Sequence, residues 1–88
     1  MNNIPLCTKT VLENIHYIRR VREYSQDFMA YKLSISQNAY SKLESGKTPL
    51  TMDRFFKIAE LLHVSPVQLL AREGMAVPEP LTPRSYSI

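Results

Sequence analysis

The sequence predicts an all-α fold, a compact bundle of about five short helices. Three observations point there. Apolar residues recur at helical spacing in successive segments, and serine or threonine stands at the head of most of them. The 88 residues also hold only two glycines, Gly46 and Gly74, and no long alternating strand pattern.

Thr10 and Glu13 have the spacing of a capping box, which predicts a first helix from Val11. Val11, Leu12, Ile15 and Ile18 give it one apolar face. Arg19, Arg20, Arg22 and Glu23 close it with mostly positive charge near the negative end of its dipole. Ser25 caps QDFMAYKL, a second helix with Asp27 in its first turn and Phe28, Met29 and Leu33 facing inward. Its Ala30 is the small residue that lets another helix approach. Ser34 and Ile35 form a short break. Ser36 caps a third helix, Ile35 is placed to staple onto Tyr40, and Gly46 ends the helix in a left-handed conformation. Lys47 to Leu50 make a loop. Thr51 then opens a fourth helix, with Phe55, Ile58, Ala59 and Leu62 on one face. Ser65 and Gln68 form a second capping box with Pro66 at the first helical position, and this fifth helix runs through Leu69, Leu70 and Ala71. From Arg72 the chain turns to three prolines, a glycine and no periodicity. The expected organisation is an N-terminal arm over 1–9, a helical domain over 10–71 and a Pro-rich flexible tail over 72–88, without internal repeats.

Composition narrows the function classes. At 44% hydrophobic and 22% charged the chain reads as an ordinary globular protein. Its net charge of +3 is compatible with a polyanionic partner but does not establish one. The single cysteine, Cys7, excludes an internal disulfide and a cysteine-based zinc site, and His16 and His63 are too isolated to suggest a metal. No metal or cofactor is expected. No apolar run is long enough to span a bilayer, and MNNIPLCTK lacks the features of a signal peptide, so the expected compartment is cytoplasmic. An enzyme is not expected: the acids are scattered at caps and helix ends, and there is no glycine-rich phosphate loop and no cysteine–histidine pairing.

The third helix carries the functional signal. With Ala39, Tyr40 and Leu43 turned to the core, Gln37, Asn38, Ser41 and Lys42 gather on the opposite side as i, i+4 pairs. That outward face has no acid. Amides suit adenine, lysine suits guanine and serine suits several bases, so the face has the chemistry of base-edge recognition. Gln26 begins the second helix behind a capped N-terminus that offers N–H groups to a phosphate, and Lys47 and Thr48 follow the third helix toward the next ones. Two short helices joined tightly, the second one polar outward, make a helix-turn-helix; the bland alternative is a corner that only packs the bundle.

The segment SQDFMAYKLSISQNAYSKLESGKTPLTMDRFFKIAELLHVS resembles the Cro and phage-repressor class of helix-turn-helix proteins, the Xre family, whose lambda repressor-like fold has five helices. The likeness spans about Ile15 to Leu70. It rests on Ser25-Gln26, Ala30, Leu33, Ile35-Ser36-Gln37, Leu43-Glu44, Gly46-Lys47, Ile58-Ala59, and Leu62 with Val64-Ser65. The resemblance implies double-stranded DNA as partner, with base contacts from Gln37, Asn38, Ser41 and Lys42. It implies phosphate contacts from Gln26, Ser45, Lys47, Thr48 and Arg54. It also implies a largely buried ion pair between Arg19 and Glu44, and a homodimer reading an inverted repeat. Glu23, Ser34 and His63 stand where the family favours glycine, and Tyr40 where it favours Ile or Val. The tyrosine hydroxyl is therefore expected to need an exit to solvent or a phosphate.

The rival from another class is a protein-interaction module. It draws on the Pro-rich tail and on Met52, Phe56, Val67 and Leu70, apolar residues expected to stay exposed. An antitoxin combines the two, binding DNA with its helices and a protein partner with its tail.

Overall fold

The computed structural model describes residues 7–70. The expected tail over 72–88, most of the arm over 1–9, and Ala71 lie outside the described residues. Five helices follow in order: α1 (Thr8–Val21), α2 (Gln26–Leu33), α3 (Gln37–Glu44), α4 (Met52–Leu62) and α5 (Pro66–Leu70). Side chains from all of them meet in one core. Ile15 and Ile18 of α1, Met29 of α2, Tyr40 of α3, Ile58 and Leu62 of α4 and Leu69 of α5 are all fully buried. Each aliphatic side chain so placed contributes on the order of 1.5–3 kcal/mol.

Local chemistry fixes most helix starts. The Ser25, Ser36 and Thr51 hydroxyls accept from the N–H groups of Phe28, Ala39 and Arg54 at 2.9, 3.0 and 3.2 Å. Both arms of the last capping box close: Ser65 N–H donates to Gln68 Oε1 at 2.8 Å, and Gln68 N–H to Ser65 Oγ at 3.3 Å. The first box does not form. α1 begins at Thr8, inside the arm expected for 1–9, behind an extended Cys7 that makes no side-chain cap. The Val11 N–H reaches the Cys7 carbonyl at 3.2 Å, so Thr10 is already within the first turn. There its hydroxyl meets the Cys7 thiol at 3.5 Å instead of capping the helix.

The ends of the first four helices share one device. Glu23, Ser34, Gly46 and His63 have positive φ, at 63°, 60°, 86° and 59°. In each case the next N–H returns to the carbonyl five residues back: Tyr24 to Arg19, Ile35 to Ala30, Lys47 to Lys42 and Val64 to Ala59, at 2.8–3.1 Å. This is the Schellman arrangement, which satisfies carbonyls the helix leaves orphaned. Glycine is absent from three of the four positions, yet the bond forms and the residue takes the left-handed strain. Ser34→Gly should therefore raise stability by about 0.5–1 kcal/mol, the relief of that strain offset by glycine's greater unfolded-state entropy. Thermal unfolding checks it, and a lower midpoint would mean that Ser34 is not strained.

Candidate nucleic-acid interface

α3 is held on its inner side by Tyr40, Leu43 and Glu44, all buried, while Gln37, Asn38 and Lys42 are exposed and Ser41 is half-buried. It thus forms a polar ridge, and a cleft runs along each edge. The first cleft, about 660 Å³, lies between the starts of α1 and α2 and the end of α3; Lys9, His16, Gln26, Ser41 and Ser45 are among the residues lining it. The second, about 460 Å³, lies between α3 and the start of α4; Asn38, Lys42, Thr48, Thr51 and Arg54 help to line it. Of the nine DNA-contact residues expected from the sequence, three meet in the first cleft and four in the second. Gln37 and Lys47 line neither; both are exposed, Gln37 at the first position of α3 and Lys47 three residues past its last. Gly46 turns the chain there: Lys47 follows directly, and a Cβ on Gly46 would stand 3.4 Å from Leu12 Cδ1 in a backbone that side chains rarely adopt.

The ridge is anchored through one carboxylate. Arg19 and Glu44 meet in the interior, 5% and 8% exposed. Arg19 Nε donates to Glu44 Oε2 at 2.9 Å and Nη2 to Oε1 at 3.1 Å, a bidentate pair, while Nη1 donates to the Tyr24 carbonyl at 2.7 Å. Gln26 Nε2 donates to Glu44 Oε1 at 3.0 Å, and His16 Nδ1 lies 3.2 Å from the same oxygen. One acidic side chain therefore ties α1, α2 and α3 together. Burial alone would raise its pKa, but the donors from Arg19, Gln26, Tyr40 and His16 outweigh that and hold it at about 2.

Two sequence readings change here. Tyr40 does not send its hydroxyl to solvent or toward a phosphate: the residue is 0% exposed and donates to Glu44 Oε2 at 2.8 Å. The reason is the i, i+4 spacing, which brings the phenol under its own helix's carboxylate. Burial, and then the charge of Glu44, push its pKa above the ordinary tyrosine value. Gln26 is also more committed than the sequence suggests, because one N–H of its amide belongs to Glu44. The second N–H on that nitrogen is what the side chain has left for a phosphate. His16 was legible only as an isolated histidine. Its i, i+3 spacing to Arg19, which puts the two on one side of α1, is the signal that could have placed it near the ion pair.

Among the described residues no group of three or more His, Cys, Asp and Glu side chains converges as a metal site. No helix there is long and apolar enough to cross a membrane. A family model described as helix-turn-helix matches residues 15–69, from within α1 to within α5. No curated protein and no solved structure matches the chain.

Proposed function

The chain belongs to the Xre/lambda repressor-like helix-turn-helix family of DNA-binding regulators, and we propose that it is a sequence-specific transcriptional regulator that places α3 in the major groove of double-stranded DNA. The observation that carries this reading is the acid-free ridge of α3 between two polar clefts. A B-DNA major groove about 12 Å wide admits one helix and is walled by two phosphate backbones. With the ridge in the groove, Gln37, Asn38, Ser41 and Lys42 face base edges. Gln26 and Ser45 then meet one backbone, and Thr48 and Arg54 the other, with Lys47 at the end of the ridge.

The regulator acts as a homodimer in this reading. Met52, Phe56 and Val67, on α4 and α5, are 63%, 50% and 72% exposed. A second copy on that surface would set two α3 helices about 34 Å apart and require an inverted-repeat operator. A DNA partner and a single cysteine, Cys7, fit a cytoplasmic protein.

Selection of bound duplexes from random DNA is the decisive experiment. It should return an approximate inverted repeat, whose affinity falls steeply with ionic strength. Lys47→Ala should weaken selected and random duplexes alike and flatten the salt dependence by about one counterion. Failure to enrich any sequence, with binding to a protein that is indifferent to salt, would replace this reading with the interaction module.

A further inference from the structure

The first cleft contains an ionisable side chain that neither the family match nor the face of α3 accounts for. His16 lies on α1, outside the helix-turn-helix pair. Its side chain is 51% exposed, whereas the Glu44 side chain beside it is 4% exposed. Nδ1 has two neighbours with opposite demands: Glu44 Oε1 at 3.2 Å, which only accepts, and Arg19 Nη2 at 3.4 Å, which only donates. A neutral ring can satisfy one of them. The imidazolium must donate from both nitrogens, so it takes Glu44 through Nδ1 and carries a second N–H on Nε2, which has no protein partner among the described residues. The exposed part of the ring lines the same cleft as Lys9, Gln26, Ser41 and Ser45.

We infer that His16 is a phosphate-binding residue of the imidazolium form: docked on Glu44 through Nδ1, it presents Nε2–H to the DNA backbone seated in the first cleft. This rests on the DNA-binding reading above and adds to it a contact from α1 and a dependence on pH. The charged and titratable groups around the ring are few. Lys9, Glu13 and Arg19 belong to α1, and Tyr40 and Glu44 to α3, while Gln26 of α2 is neutral. Glu44 stays ionised down to about pH 2, and Tyr40 is pushed above its ordinary range, so neither changes charge near neutrality. A neutral imidazole becomes the form that donates from both nitrogens by taking up a proton. A phosphate against Nε2–H favours the protonated ring, so DNA binding takes up a proton and tightens as the pH falls.

The test uses the full chain and a duplex of arbitrary sequence, about two helical turns long, because a backbone contact needs no particular operator. Affinity should be roughly three- to tenfold higher at pH 6 than at pH 8. The salt slope should be steeper by about one counterion at the lower pH. His16→Gln should abolish both differences, while His63→Asn, which removes the other histidine at a left-handed position asparagine tolerates, should keep them. Persistence of the pH effect in His16→Gln, or equal wild-type binding at both pH values, overturns the inference and leaves DNA binding intact. Absence of duplex binding at either pH overturns the reading beneath it as well. NMR titration of the wild-type ring gives a readout that does not depend on the variant folding: the His16 midpoint should move up on adding duplex, and an unmoved midpoint overturns the contact.

Discussion

Glu44→Ala should lower the unfolding free energy by about 3–5 kcal/mol, a large part of what a domain of this size has. The destabilisation comes less from the ion pair itself than from what remains. Arg19 would stay buried without its counter-charge, its guanidinium left with the Tyr24 carbonyl and the 3.4 Å contact to His16 Nδ1, and the hydroxyl of Tyr40 would be left without its acceptor. Tyr40→Phe removes one hydrogen bond to the same carboxylate and leaves the ion pair in place, so it should cost less, about 1.5–3 kcal/mol. The pH dependence has a definite sign. The Glu44 carboxyl is lowered from 4.5 to about 2, so the stability it supplies is fully present above pH 4.5 and drains away as the pH falls toward 2. Urea unfolding at neutral pH and again at several acid values measures both effects. An unchanged midpoint for Glu44→Ala would mean that the pair contributes nothing net, and equal acid sensitivity in wild type and variant would deny Glu44 its part in acid unfolding.

That carboxylate also marks where reading the sequence succeeded and where it stopped. Helix starts were legible at Ser25, Ser36, Thr51 and Ser65 because a cap is a local bond between residues three apart. The Thr10 box failed for an equally local reason: nothing in the pattern says that the helix has already begun at Thr8. Left-handed ends at Glu23, Ser34 and His63 could be expected only by resemblance, since their own side chains disfavour that backbone. The outward face of α3 followed from its 3.6-residue period. What the period cannot give is which polar groups on other helices converge. Gln26 and His16 are 18 and 28 residues from Glu44, and only folding brings them to the side chain that Tyr40 reaches within its own helix. A tyrosine among core positions leaves its hydroxyl unaccounted for until its partner is placed. The clefts beside α3 were invisible for the same reason, as each is built from three or more segments.

Gln37→Ala and Asn38→Ala should each reduce affinity for a selected duplex by about 1–3 kcal/mol, the worth of one bidentate amide–base pair, and relax choice at one or two base pairs. Both side chains are exposed at the start of α3, and substituting them touches neither the core nor the Glu44 network, so folding should be unaffected. Their amides offer a donor and an acceptor together, the pairing that adenine presents in the major groove. The expected signature is differential. Affinity for scrambled duplex should hardly change, and because neither side chain is charged the salt slope should stay as it was. Lys42 is the informative neighbour: it lies beside Asn38 along the second cleft, where a lysine reaches either a guanine or a phosphate. Weakened discrimination in Lys42→Ala would assign it to a base, and a uniform drop in affinity with a flatter salt slope would assign it to the backbone. Titrations of each variant against selected and scrambled duplexes at several salt concentrations separate these cases. Equal drops on both duplexes for Gln37 and Asn38 would mean that α3 grips backbone only. Unchanged affinity on both would mean that the acid-free ridge does not enter DNA, because a helix seated in the groove cannot shed both leading amides without consequence.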